Sequence, residues 1–179
     1  MGRWTRTHQQ LQDAALELFA RHGFRATTTA QVARAAGVSE MTLFRHFPTK
    51  EHLLLGDSFD PLIAEAVRDR PASESPMQAV ARGLACALET LDESAITCRL
   101  RLVADAGLSA NVIARHNEPT VVVIAEALVA RGESRLRAQV IAAAAIAGLS
   151  EGLLVWAAAS TVSLRDAIAE IFQALDCSC

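Results

Sequence analysis

Apolar residues recur along most of the chain at helical spacing rather than at the alternation typical of strands. Between Thr7 and His22 they fall at positions 11, 14, 15, 18 and 19, with polar side chains on the opposite face. Gly23 then supplies a natural end for this helix. Because the later segments repeat the helical spacing and no sustained alternation occurs, the pattern predicts an all-α protein.

Two short helices are predicted after Gly23. Thr28 to Gln31 has the composition of a capping box, in which a Thr hydroxyl binds an orphan amide and Gln reaches back. This helix ends at Gly37, and Ser39 can cap a next helix of about seven residues, which would be unstable alone in water. Two short helices joined by a tight Gly-containing turn predict a helix-turn-helix, whose second helix can enter a DNA major groove.

The rest of the chain predicts six further helices, at 49–70 with a kink at Pro61, 76–92, 96–106, 110–130 with a bend or break at Pro119, 136–159 and 163–175. Helix 76–92 starts with a Ser75 cap and with Gln78 at its third position. The run 140–159 is nearly long enough to span a membrane, but Ser150 and Glu151 interrupt it. It therefore predicts a buried helix and no membrane span.

Charge is distributed unevenly along the chain. The net charge is −3, yet residues 1–56 carry seven Arg and Lys against four acids, and the remainder carries ten against sixteen. A basic N-terminal third on an acidic body predicts that only the N-terminal part meets a polyanion such as double-stranded DNA. The first residues lack the apolar segment of a signal peptide, which predicts a cytoplasmic protein.

The second short helix carries the side chains that would read DNA. Its outward positions are predicted to be Glu40, Met41, Thr42, Arg45 and His46. Arg45 can pair with a phosphate or a guanine, and Met41 can contact a thymine methyl. Lys50 lies in the first turn of the next helix, where lysine opposes the helix dipole unless a phosphate is near.

Residues 23–55, GFRATTTAQVARAAGVSEMTLFRHFPTKEHLLL, resemble the DNA-binding signature of the tetracycline-repressor (TetR) family of bacterial regulators, without gaps. The resemblance implies phosphate contacts from Thr28 or Thr29, Thr42, the aromatic position 44, His46 and Lys50, and it leaves Glu40, Met41 and Arg45 for base edges. One departure is Phe44, where the family usually has Tyr; the chain contains no Tyr, so no hydroxyl is available there.

The resemblance also implies two helical domains, a helix-turn-helix domain at 1–48 and a ligand-binding and dimerisation domain at 49–179. It implies a homodimer through the last two long helices, about 138–159 and 164–175, and a small-molecule effector. Surplus apolar surface on these two helices independently favours burial against a partner. For the effector we predict contacts from a few polar and aromatic side chains of the second domain, namely Arg101, His116, Asn117, Glu151 and Trp156.

The function predicted from these features is a ligand-responsive regulator, most simply a repressor released from a palindromic operator by its effector. The alternative is a redox sensor that uses Cys177 and Cys179, while Cys86 and Cys98 are predicted to be buried fillers. Because no phosphate loop, nucleophile elbow or metal-ligand spacing occurs, we predict no enzyme, no cofactor and no metal site. A protein-interaction module is a third class, which the charge asymmetry disfavours.

Overall fold

A computed structural model describes residues 2–56, 60–88, 92–159 and 162–175. Within these ranges the chain forms ten α-helices and no strand, which confirms the all-α prediction. The helices are α1 Arg3–His22, α2 Thr29–Ala35, α3 Glu40–His46, α4 Lys50–Leu55, α5 Asp60–Arg68, α6 Pro76–Leu88, α7 Glu93–Ala106, α8 Ala110–Ala130, α9 Arg135–Ala159 and α10 Leu164–Leu175.

The predicted helix starts are confirmed where a capping side chain marks them. The Thr28 hydroxyl accepts the Gln31 amide at 3.2 Å, and the Gln31 side chain accepts the Thr28 amide at 2.8 Å, completing the capping box. Ser39 caps α3 by accepting the Thr42 amide at 3.2 Å. Ser75 and Gln78 form the same reciprocal pair at the start of α6.

Two predicted helix extents are wrong, and a break predicted as one possibility within a third helix is absent. The segment 49–70 is not one helix, because α4 ends at Leu55 and Gly56 follows at φ 84°, a left-handed conformation that breaks the helix. Pro61 therefore sits in the first turn of α5 rather than at a kink. Asp92 does not end α6; it caps α7 by accepting the Ser94 amide at 2.9 Å. Finally, α8 runs through Pro119 without a break.

The buried apolar residues form two clusters. The N-terminal cluster contains residues of the four helices α1, α2, α3 and α4. Its fully or almost fully buried members include Leu11, Phe19, Val32, Leu43 and Phe47. The C-terminal cluster joins α5, α6, α8, α9 and α10. Helix α7 connects the two, since its Val103 and Ala106 belong to the N-terminal cluster while Ile96 and Leu100 pack against the C-terminal one. This arrangement holds α2 and α3, which are too short to be stable alone.

Helix α9 is only partly buried, which corrects the sequence prediction of a buried helix. Its inner side packs on the C-terminal cluster through Ala138, Ala142 and Ala145, and side chains of α10 lie against Gly148 and Gly152. The opposite side of the helix is exposed. We call it the α9 outer face and define it by six residues: Leu136, Val140, Ala143, Ala147, Glu151 and Val155. By length and composition 135–158 is long and apolar enough to cross a membrane. Only 17% of its most apolar window is buried within the described protein, so most of this apolar surface is left uncovered.

Candidate nucleic-acid interface and interior cavity

Helix α3 exposes polar side chains and one Met to solvent, and one buried residue holds it to the rest of the protein. Leu43 is fully buried, whereas Glu40, Met41 and Arg45 are exposed, with Met41 at 77%. The prediction that these three side chains face outward is therefore confirmed. A rigid helix with one cation, one carboxylate and one flexible apolar group at its surface can meet the edges of base pairs.

Two of the three remaining predicted contacts on α3, Phe44 and Thr42, differ in how freely they are presented. Phe44 is 46% exposed, so its ring edge is available at the surface. Thr42 is half-buried, and its hydroxyl lies 3.0 Å from the hydroxyl of Ser39 at the helix start. Thr42 can still contact a phosphate if its hydroxyl rotates and donates its O–H to a phosphate oxygen.

His46 belongs to an aromatic cluster that sequence reasoning missed. Its ring stacks on Trp4 with centroids 3.7 Å apart, and its Nδ1 lies 3.3 Å from Nδ1 of His8. Partial burial, then the neighbouring His8 and Arg45, lower the pKa of His46 below its ordinary value. His46 is therefore neutral at pH 7, when it can donate one hydrogen bond but adds no charge. The sequence signal that could have revealed this cluster is Trp4, an aromatic residue in the otherwise polar first turn of α1.

The N-terminus of α1 and the C-terminal half of α3 line a depression with a volume of about 560 Å³. Its walls include Arg3, Trp4 and Thr7 from α1 and Thr42, Arg45 and His46 from α3. Two guanidinium groups thus line one depression next to the outward side of α3. Clustered arginines of this kind are suited to the phosphates of a nucleic acid backbone.

The remaining predicted phosphate contacts flank α3. Thr28 is exposed at the start of α2, and Thr29 is half-buried as its first helical residue. Lys50 is the first residue of α4, and its Nζ lies 4.3 Å from the centre of the Phe24 ring, a cation–π contact. Burial lowers the pKa of Lys50, and Glu51 partly offsets this. This contact restrains the ammonium group at the start of α4.

Residues 11–56 match the family described as bacterial regulatory proteins of the tetR family. The chain carries a TetR-family helix-turn-helix domain. TcmR of Streptomyces glaucescens, a transcriptional regulator, is 43% identical over 77 residues, which are 42% of this chain and 34% of TcmR. The mycofactocin biosynthesis regulator MftR of Mycobacterium tuberculosis is 36% identical over 90 residues, 49% of this chain and 45% of MftR. The chain thus matches less than half the length of these curated relatives.

Solved structures resemble this chain over nearly its whole length. FadR of Thermus thermophilus, a TetR-family repressor solved with lauroyl-CoA, has a TM-score of 0.57 and 23% identity and covers 94% of this chain and 92% of its own. A TetR regulator from Rhodococcus sp. RHA1 has a TM-score of 0.53 and 20% identity, covering 98% and 96%. At these identities the likeness establishes the fold alone.

Helices α4 to α9 line an interior cavity of about 240 Å³, which is open to solvent on one side. Most of its wall is aliphatic, and five residues bring polar atoms to it: Arg99, His116, Asn117, Thr120 and Ser150. The Asn117 amide donates to the Ser150 hydroxyl at 2.8 Å, which in turn donates to the Ile146 carbonyl at 2.7 Å. Of the five effector contacts predicted from the sequence, the structure brings His116 and Asn117 to this cavity.

The other three predicted effector residues lie elsewhere. Arg101 is exposed and lines neither this cavity nor the groove described next, whereas Arg99, two residues earlier, lines the cavity. Trp156 packs against the C-terminal cluster, and its indole N–H donates to the Val162 carbonyl at 3.0 Å. Glu151 instead lines an open groove of about 660 Å³ between α8 and α9, together with Ala143 and Ala147 of the α9 outer face.

The cysteine predictions have a mixed outcome. Cys86 and Cys98 are exposed, so the prediction that they are buried fillers is wrong; each lies on the outward side of its helix. Cys177 and Cys179, on which the redox alternative depends, lie outside the described residues. Among the residues that the structure describes, no group of three or more His, Cys, Asp or Glu side chains could hold a metal ion.

Proposed function

We propose that this chain is a transcriptional regulator, most simply a repressor, that binds a palindromic operator as a homodimer and is released by a small molecule. The observation that carries this proposal is α3, a seven-residue helix held by Leu43 in a TetR-type domain, with Glu40, Met41 and Arg45 turned outward. A helix so short and so firmly held is suited to insertion into a major groove.

The proposed DNA contacts divide into two kinds. Arg45, Met41 and Glu40 would meet base edges, because they are exposed on α3 and carry a cation, a flexible apolar group and a carboxylate. Thr28, Thr29, Thr42, Phe44, His46 and Lys50 would lie along the phosphate backbone. To these we add Arg3, whose guanidinium shares the depression lined by Arg45. Phosphate contacts set the register, and base contacts set the sequence preference.

The proposed dimer would use α9, with α10 beside it. The α9 outer face is exposed, and Glu151 is its one ionisable member. Exposed apolar stripes of this length on soluble proteins mark interfaces. A second copy would place two α3 helices on half-sites about 34 Å apart, as two-fold symmetric operators require. The division into domains 1–48 and 49–179 and a cytoplasmic location are part of this proposal.

The proposed effector would bind inside the second domain. The interior cavity supports this, since ligand sites are concave, largely apolar and provided with a few converging polar groups. His116 and Asn117 are retained as proposed contacts. FadR, the structural neighbour solved with lauroyl-CoA, is a precedent for ligand binding by this fold. Effector binding would favour a conformation in which the two α3 helices no longer match the groove spacing.

The test is binding of the purified chain to the DNA upstream of its own gene, measured by fluorescence anisotropy at two salt concentrations. We expect Arg45→Ala to lose about 10- to 100-fold in affinity for its preferred sequence and to lose sequence preference. Lys50→Ala should weaken binding to every sequence about equally and flatten the salt dependence, because one fewer counterion is released.

The matched control is Arg21→Ala, which removes an exposed guanidinium of the same domain that pairs with Glu17 at 3.4 Å and lies outside the proposed contacts. It should bind like the unmodified protein. Absence of binding to this DNA and to random genomic fragments, at low salt and with cell extract added as a source of co-repressor, would refute the proposal. Equal losses in all three variants would refute the assigned roles.

A further inference from the structure

The interior cavity combines a positively charged side chain with an otherwise aliphatic wall. Arg99 and His116 line it, while no Asp or Glu is among the described residues of its wall. The remaining polar atoms belong to Asn117, Ser150 and the almost fully buried Thr120. Because an arginine keeps its charge at any physiological pH, Arg99 is a permanent cation beside a mostly aliphatic wall.

From this we infer the class of the effector: a small aliphatic carboxylate whose carboxylate group binds Arg99. The inference deepens the proposed function and rests on it. The planar guanidinium matches a carboxylate with two parallel N–H···O bonds, and its five donors allow it to bind a ligand as well as a protein group. The aliphatic side chains of the wall would cover the hydrocarbon tail.

The size of the cavity limits the ligand further. Its volume of about 240 Å³ is that of about eight water molecules at about 30 Å³ each. It therefore holds a tail of about four to eight carbon atoms and cannot cover a whole acyl-CoA. Filling it with a short chain buries about 0.8 kcal/mol per CH₂, so affinity should rise with chain length until the cavity is full.

The position of Arg99 explains how such a ligand would affect the DNA-binding domain. The guanidinium lies against Gly56, the residue that ends α4, so closely that a Cβ there would overlap it. The buried Nε2 of Gln12 in α1 lies beside the same point and has no hydrogen-bond partner. His116 also reaches α4, since its ring meets that of His52 with centroids 5.4 Å apart. A carboxylate that draws Arg99 into the cavity would thus loosen a contact with α1 and α4.

The test is calorimetric titration of the full chain with butanoate, hexanoate, octanoate and dodecanoate, each beside its uncharged amide. We expect hexanoate or octanoate to bind most tightly and to bind at least about tenfold more tightly than its amide. Arg99→Gln should abolish that preference, whereas Arg101→Gln, on the same helix but exposed outside the cavity, should retain it. Circular dichroism of both variants checks that they fold.

The inference would be overturned if no acid of the series bound, if acid and amide bound equally to the unmodified protein, or if Arg101→Gln lost the preference and Arg99→Gln kept it. The comparison of acid with amide uses the unmodified protein and stands even if Arg99→Gln does not fold. DNA binding without ligand is measured separately. Failure there overturns the proposed regulator, while DNA binding without carboxylate binding overturns only the ligand class.

Discussion

At the scale of single residues, the proposed DNA surface is defined by which side chains are held and which are presented. His46 is held by stacking on Trp4, and Lys50 is held over Phe24. Met41 and Arg45 are presented on α3 without such support. Because held side chains lose little entropy on binding, we expect His46 and Lys50 to act as fixed phosphate contacts and Arg45 to adapt to the base pair it meets.

Phe44 gives a prediction at this scale. It is 46% exposed, and the usual Tyr hydroxyl at this position is absent. Phe44→Tyr should tighten DNA binding about 3- to 10-fold, because a hydrogen bond to a charged group contributes about 1 kcal/mol or more. The gain should be the same on preferred and random DNA, with an unchanged salt slope, since a neutral hydroxyl releases no counterion. Anisotropy titrations measure both; weaker or unchanged binding would contradict the contact.

At the scale of elements, the loop between α5 and α6 is fixed by a group of charges around Glu74. This carboxylate is 7% exposed and accepts from Arg70 at 2.5 and 2.9 Å and from Arg82 at 2.7 Å. Arg131, after α8, donates to the Arg70 and Pro71 carbonyls. The loop is thus tied to the end of α8 as well as to α6. The hydrogen bond from Arg70 is the largest cause that lowers the pKa of Glu74, from 4.5 to about 2.

That shift predicts the acid dependence of stability. The folded state holds the Glu74 proton less tightly than the unfolded chain, so its contribution is complete above pH 4.5 and is lost as the pH falls towards about 2. Glu74→Gln should lower the urea midpoint at pH 7 and flatten its decline between these pH values. Glu17→Gln is the control, since its pair with Arg21 is exposed on both sides. An unchanged acid decline in Glu74→Gln would contradict this account.

At the scale of the whole molecule, one surface is difficult to reconcile with a monomer. Leu136 is 77% exposed, Val140 59% and Val155 64%, all on the α9 outer face. The outward side of α10 carries Arg165, Asp166, Glu170 and Gln173 instead. We therefore expect α9 to supply most of the apolar area of the proposed dimer and α10 to supply its polar rim, the usual anatomy of such interfaces.

Val140→Asp tests this arrangement, because a carboxylate buried at a two-fold interface meets its own copy and lacks a partner. By light scattering we expect a mass near the 19.1 kDa of one chain for this variant, and about twice that mass for the unmodified protein. Affinity for a palindromic operator should fall roughly 100-fold or more as two linked half-sites become independent. Leu62→Asp, at an exposed apolar position of α5, should remain dimeric. A dimeric Val140→Asp protein would refute this interface.

The sequence by itself determined the helical class, the caps at Thr28, Ser39 and Ser75, and the outward side of α3. These features depend on interactions within about four residues, so local spacing and side-chain chemistry suffice. Tertiary structure alone decided that Arg99 rather than Arg101 lines the cavity, because that depends on how α7 is rotated against its neighbours. It also decided that His46 meets Trp4 and His8, which lie 42 and 38 positions away in the chain. Contacts across such distances arise from packing, which no periodicity in the sequence specifies.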